Sequence, residues 1–233
     1  MKQRMFMKLL AAPKVDLGQG SWLIYEENWL TTEIADHLFS NLLQDLSWEE
    51  RSIIAKGKEV QQPRLMGWAG ELPYLYSGQI LEPRSFHDDL VMLQKRLATT
   101  CEIHFNHVVA NLYRDGKDRV GFHADDEPEL GYEPLIASIS LGVSRRFILK
   151  HKYKKRKKSI SLKHGSLLLM GGTCQHRWYH GVPAQPHIGE SRINLTFRLL
   201  RGAPGWRAPR TEDPRQFKRD DRETIKDKYL VVD

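Results

Sequence analysis

A chain of 233 residues, 40% hydrophobic and 28% charged, is long enough for one sizeable domain with elaborations or at most two small ones. Its 36 basic against 29 acidic side chains leave a net charge of +7, which suits a polyanionic partner such as nucleic acid or an anionic membrane surface. Two cysteines, Cys101 and Cys174, exclude a disulfide framework and point to a reduced, cytosolic setting, and no apolar run approaches the roughly 20 residues of a membrane helix.

The first residues, "MKQRMFMKLLAAPK", have a basic head, but the apolar part is short and broken by Lys8, so no signal peptide is expected. Residues 22–50 carry helical periodicity, with Leu30, Ile34, Leu38 and Leu42 on one face and Thr31 or Thr32 as the cap. Trp22, Trp29 and Trp48 would anchor this helical part. A second helix is expected over 83–101, with Leu90, Leu93 and Leu97 as its stripe and Asp88 and Asp89 near its start. From about Phe105 the texture changes to short β-rich runs: "HVVANLY", "LIASISLG", "RRFILKH", "SISLKHGSLLLMGG" and "RINLTFRLL". Strands in series without intervening helices argue for a sandwich or jelly roll. From Gly202 the chain is rich in Pro, Arg and Asp, as expected of a surface wrap or tail.

Within "GFHADDEPELGY" (Gly121–Tyr132), His123 and Asp125 stand two apart, the spacing that puts both side chains on one side of an extended segment. One metal ion could take both. A second histidine would complete the two-His, one-carboxylate triad of non-haem Fe(II) oxygenases, which leaves positions open for a cosubstrate and O2. His164, His176, His180 and His187 are the candidates, with His180 and His176 the main rivals. Arg192 and Arg198 lie six apart on one strand with the same parity, so both can face one pocket and clamp an anion. The run Arg145–Ser159, "RRFILKHKYKKRKKS", is unbroken base from Lys154 to Lys158. Such a run is commonly a solvated hairpin tip; beside a polyanionic substrate, phosphate contact is the better reading.

"NLY" (Asn111–Tyr113), "HADD" (His123–Asp126), "HRWYHGVP" (His176–Pro183) and "RINLTFR" (Arg192–Arg198) occur in this order, with "PRLMGWAG", "YLYSG" and "HGSLLLMGG" around them. Over roughly residues 50–200 the chain resembles the AlkB family of Fe(II)- and 2-oxoglutarate-dependent dioxygenases, closest to its DNA-repair branch. The resemblance implies a mainly β fold with flanking helices. Its double-stranded β-helix (jelly-roll) core would span 105–201, after an N-terminal α/β nucleotide-recognition part over 1–104 and before a charged tail over 202–233, all one integrated domain. It implies that His123, Asp125 and His180 hold Fe(II), and that Asn111, Tyr113, Arg192, Thr196 and Arg198 hold 2-oxoglutarate, with Asn194 in support. It puts Tyr74 and Tyr76 in a hairpin over a base pocket, Asp126 against the base, and Trp178 or Tyr179 as a further aromatic wall. Lys58, Arg64, Lys154, Lys155, Arg156 and Lys157 would add nucleic-acid contacts, as could Lys56.

The implied reaction uses O2 and converts 2-oxoglutarate to succinate and CO2. An N-methyl group leaves 1-methyladenine or 3-methylcytosine in DNA as formaldehyde. The expected protein is a monomer off the membrane, cytoplasmic in a bacterium or nuclear in a eukaryote. Three other readings compete: the same chemistry on RNA, tRNA or protein, an inactive nucleic-acid-binding module, and a zinc β-sandwich without redox chemistry. The complete ligand set argues against the second, and paired arginines without an anion argue against the third.

Overall fold

Runs of apolar residues too short for helices find their backbone partners across strands, and the sheet so formed needs cover on both faces. The computed structural model describes residues 13–55, 58–76 and 78–201. Lys56, the N-terminal stretch through residue 12, the tail from Gly202 and the side chain of Lys58 lie outside the described residues. In chain order come β1 (Val15–Gly18), β2 (Ser21–Glu26), α1 (Thr32–Asp45), β3 (Glu49–Ala55) and β4 (Lys58–Gly70). The short hairpin β5 (Tyr74–Tyr76) and β6 (Gln79–Leu81), then α2 (Asp88–Cys101), precede β7 (His107–Tyr113) and β8 (Val120–His123). They are followed by β9 (Ile136–Gly142), β10 (Arg145–His151), β11 (Lys157–Leu162), β12 (Ser166–Gly172), α3 (Cys174–Arg177), β13 (Trp178–Val182) and β14 (Arg192–Arg198).

A large sheet runs in the order β1-β2-β12-β9-β14-β7-β4-β3, and a small one in the order β11-β10-β13-β8. This is the jelly roll expected from the resemblance. Residues before 105 supply β1–β4 to the large sheet itself. No helix among the described residues is long and apolar enough to cross a membrane.

β14 shows how one strand serves two layers. Ile193, Leu195 and Phe197 join the cluster shared with Leu38 and Leu42 of α1 and Leu90, Leu93 and Leu97 of α2. Arg192, Asn194, Thr196 and Arg198 have the opposite parity and turn away from that helical layer. Every residue of the strand is buried, so its polar half must find partners inside the protein.

α1 carries the expected stripe, with Thr31 as its cap, its Oγ1 accepting from the Ile34 N–H at 3.5 Å. The helix expected from residue 22 begins only at Thr32. Trp22 to Glu26 pair along β12, with Leu23 opposite Met170. Leu23 and Ile24 are buried in different clusters, which an amphipathic helix face could not arrange. The second helix starts at Asp88 rather than 83. Arg84 forms a bridge with Gly70, and His87 Nδ1 caps the helix by accepting from the Asp89 N–H at 3.2 Å.

Two outcomes follow. Leu38 is fully buried between α1 and the sheet, so Leu38→Ala lowers unfolding free energy by about 2–5 kcal/mol in urea titration. His107 has no exposed surface, and burial with the nearby Arg198 cation pushes its imidazole down to about 3. Between pH 6.5 and about 3 only the unfolded chain protonates this ring, so the site loses stability as pH falls, by at most roughly 1.4 kcal/mol per unit. His107→Phe flattens the pH dependence of the urea midpoint across that window by about one proton's worth.

Candidate active site

His123 ends β8, and His180 lies directly opposite it in β13, with ring centroids 4.4 Å apart. The register shifts just beyond, between His180 and Val182. Gly181 permits this: a Cβ there would stand 3.0 Å from the Gly121 carbonyl oxygen and 3.1 Å from that of Val120. Asp125 leaves β8 on a short loop and is 1% exposed. Its backbone N–H donates to Gln175 Oε1 at 3.0 Å, a bond supplied by the single turn of α3. The carboxylate stands 3.8 Å from His123 Nε2 and 3.9 Å from His180 Nε2. One ligand atom from each of the three residues lies within 4.8 Å of the other two.

The three rivals for the second histidine are elsewhere. His176 stacks on Tyr132 and bonds to its carbonyl oxygen. His164 Nδ1 accepts from the Gly142 N–H, and its Nε2 pairs with Asp36. His187 is exposed on the loop before β14.

A small cavity of about 30 Å³ opens to solvent beside the triad. Asn111, Tyr113, Asn194, Thr196 and Arg198 line it, with Phe147, Met170 and Val182 as apolar wall. Strand register accounts for the polar wall: Tyr113 of β7 sits opposite Arg192 of β14, and Asn111 opposite Asn194. Arg192 lies behind Tyr113, its Cζ 5.2 Å from the ring centre. Its Nη2 donates to Ser140 Oγ at 2.9 Å and Asn194 Oδ1 at 2.8 Å, while Nε and Nη1 have no acceptor.

Ser138 and Ser140 belong to this polar ladder and sequence reasoning passed over them. Ser138 Oγ donates to Asn194 Oδ1 at 3.1 Å. Their alternation within the apolar "IASIS" of β9 was the available signal. Gln175 was also missed; nothing in its local sequence separates it from an ordinary surface glutamine.

The remaining expected residues divide. Tyr76 lines the cavity, and Tyr74 packs behind it, between Tyr76 (5.7 Å) and His107 (4.9 Å). Arg64 is drawn into the cavity wall, where its Nε donates to Asn111 Oδ1 at 2.5 Å. Asp126 is half-buried and pairs with Lys152 at 3.2 Å. Trp178 is buried against His151, whereas Tyr179 is exposed. Lys154, Lys155 and Arg156 are exposed at the turn between β10 and β11, and Lys157 is exposed at the start of β11, opposite Lys150.

The 2OG-Fe(II) oxygenase superfamily model matches residues 23–198. The chain is 44% identical over 177 residues to alpha-ketoglutarate-dependent dioxygenase alkB homolog 3 of Bos taurus, a match covering 71% of this chain and 62% of that protein. It is 36% identical over 217 residues to DNA oxidative demethylase ALKBH2 of Arabidopsis thaliana, covering 80% of this chain and 68% of the other. The chain belongs to the AlkB family of 2OG-Fe(II) oxygenases. The solved structure of OsALKBH1 has the same fold, with a TM-score of 0.58 at 16% identity, covering 80% of this chain and 100% of that one. The chain spans 62–64% of the length of the alkB homolog 3 relatives it matches from Bos taurus and Homo sapiens.

The AlkB-family cofactors are Fe(II), 2-oxoglutarate and O2, and the donor set fits them. Asp125 Oδ2 is buried and makes no hydrogen bond, which leaves a hard, charged oxygen for a cation. His123 Nδ1 lies 3.0 Å from the Gly121 carbonyl oxygen, a contact that holds the ring with Nε2 toward Asp125. Burial, His123 and Arg198 push His180 down to about 3, and crowding by protein lowers His123 although its side chain is 35% exposed. Both imidazoles are therefore neutral and able to ligate at physiological pH. Burial works against the Asp125 charge, but Arg198, His180 and His123 hold the carboxyl far below its usual range. For Arg192 burial dominates and lowers the guanidinium to about 10, still a cation at neutral pH.

His180→Ala removes one of the three residues able to hold a metal ion and is expected to weaken Mn(II) binding, measured by calorimetry, by more than the ~10–100-fold typical of supporting residues. His176→Phe keeps Mn(II) affinity within about twofold and lowers the melting temperature instead, because its bond to Tyr132 is lost.

Proposed function

We propose that this chain is an oxidative demethylase of N-methylated bases, 1-methyladenine and 3-methylcytosine, in DNA. One observation carries the reading: a single cavity joins a two-His, one-carboxylate triad to a buried polar wall and a tyrosine-lined side. In this cavity His123, Asp125 and His180 would hold iron, while Arg198, with Asn111, Tyr113, Asn194 and Thr196, would hold 2-oxoglutarate, and Arg192, which lies behind Tyr113 outside the lining, would join them past that ring. When bound, Fe(II) and 2-oxoglutarate with O2 supply the oxidising chemistry that yields succinate, CO2 and formaldehyde. The names of the relatives, a DNA oxidative demethylase among them, support the substrate class. On this reading the protein works inside the cell, on nucleic acid.

The chain's own residues do the positioning. Arg198 and Gln175 fix Asp125 so that one carboxylate oxygen remains for the metal. Arg192 offers two N–H edges to a carboxylate. Arg64 steadies Asn111, so on this reading it serves the cosubstrate end of the cavity rather than a phosphate. A base must leave its stack to enter, and Tyr76, backed by Tyr74, offers it an aromatic face. A ring made cationic by N-methylation is drawn to that face and to the Asp126 carboxylate. Lys154, Lys155, Arg156 and Lys157 would contact phosphates, with Lys58 a further contact in the recognition part.

The test is mass spectrometry of an oligonucleotide carrying one 1-methyladenine, single- and double-stranded, with Fe(II), 2-oxoglutarate and ascorbate. Loss of one methylene mass, dependent on 2-oxoglutarate and abolished by His123→Ala, is the expected result. Succinate without loss from DNA would move the substrate to RNA or protein. Neither product would overturn the reading.

A further inference from the structure

Successive residues of a strand point to opposite faces of a sheet, so a strand that aims a ligand into the cavity must aim its neighbours at solvent. His123 and His180 face the cavity from the inner side of the small sheet. Their neighbours Phe122 and Tyr179 therefore face outward, and they are 42% and 39% exposed. Solvent-facing strand positions ordinarily hold polar side chains, and these hold two large rings.

The rest of that outer face is basic. Lys150 pairs in register with Tyr179 on one side and with Lys157 on the other, giving a row across three strands. Lys150 Nζ stands 3.6 Å from the Phe122 ring centre, and Lys152 Nζ stands 4.8 Å from that of Tyr179. Arg146 is exposed further along β10. None of the four strands contains a single Asp or Glu, in a chain that has 29 of them. Asp126, from the loop after β8, pairs with Lys152 at 3.2 Å, and Lys150, Lys157 and Arg146 carry the rest of the face's charge. Rings among cations on strands that hold no acid match the two chemical features of a single-stranded nucleic acid, stacking bases and phosphates.

We infer that the outer face of the small sheet, built on Phe122, Tyr179, Lys150, Lys157 and Arg146, is a track for the single strand that flanks the extruded base. This rests on the demethylase reading and adds a second surface to it, back to back with the cavity and distinct from the Lys154–Arg156 turn. Lys150, exposed and lying over Phe122, would swing to a phosphate as a base stacks on the ring.

The experiment is fluorescence anisotropy of the full chain with an unmodified single-stranded 15-mer across a salt series, comparing wild type, Arg146→Gln/Lys150→Gln and Phe122→Leu. Circular dichroism melts establish that each variant is folded. The double variant is expected to bind at least tenfold more weakly at low salt. The slope of log affinity against log salt should fall by about 1.4, the signature of two lost phosphate contacts. Phe122→Leu should lose about tenfold with the slope unchanged, as removal of a stacking ring predicts. Unchanged affinity in a folded double variant would overturn the track. Displacement of the oligonucleotide by a poly-glutamate peptide of equal charge would also overturn it, because the face would then be a general acid-binding patch. Binding is read apart from turnover, so failure of demethylation with intact, substitution-sensitive binding would unseat the demethylase reading alone. Demethylation with substitution-insensitive binding would unseat the track alone.

Discussion

The ion pair between Arg198 Nη2 and Asp125 Oδ1, 2.9 Å long and between side chains 2% and 1% exposed, is the contact on which the site depends. A carboxylate so deeply buried would take up a proton unless a cation stood beside it. Burial works against Arg198's own charge, but Asp125, Tyr74, Tyr76 and Glu127 together raise its pKa. The pair keeps Asp125 ionised and occupies one of its oxygens. The other, Oδ2, stands 3.9 Å from His180 Nε2 and has no hydrogen bond of its own. The same guanidinium lies 5.7 Å from the ring centres of both Tyr74 and Tyr76. One side chain thus joins the metal triad, the last turn of the polar wall and the aromatic hairpin.

That junction is affordable because β14 runs through the middle of the large sheet. Alternation gives the strand an apolar half that packs under the helices and a polar half that faces the cavity. The polar half is satisfied in a chain: Ser138 and Arg192 donate to Asn194, and Asn194 donates to Thr196. Arg192 Nε and Nη1 and Asp125 Oδ2 keep no hydrogen-bond partner.

Much of this was legible in the sequence. Thr31 and the leucines after it specified α1, and the β-rich runs from His107 onward became β7 and β9–β12 with little displacement. The spacing of His123 and Asp125 brings both into the candidate triad, and of the two same-parity arginines Arg198 lines the cavity while Arg192 lies behind Tyr113. Choosing His180 over His176 needed either the family resemblance or the fold, since both histidines lie in one short segment. The strands before residue 80 were harder. β2 is buried on both faces and shows no alternation, and β4 contains Pro63, which interrupts an ordinary strand pattern. Gln175 reaches Asp125 across 50 positions, a relation set by tertiary packing and invisible to local pattern.

The central claim is that one cavity binds iron and 2-oxoglutarate together on His123, Asp125, His180 and the two β14 arginines. Its most direct test is the visible absorption of the protein under anaerobic Fe(II) as 2-oxoglutarate is added. A metal-to-ligand charge-transfer band that saturates with one equivalent, and is missing in Asp125→Ala and Arg198→Met, is the predicted result. A protein that binds Fe(II) yet develops no band, or develops it equally in both variants, would contradict the account.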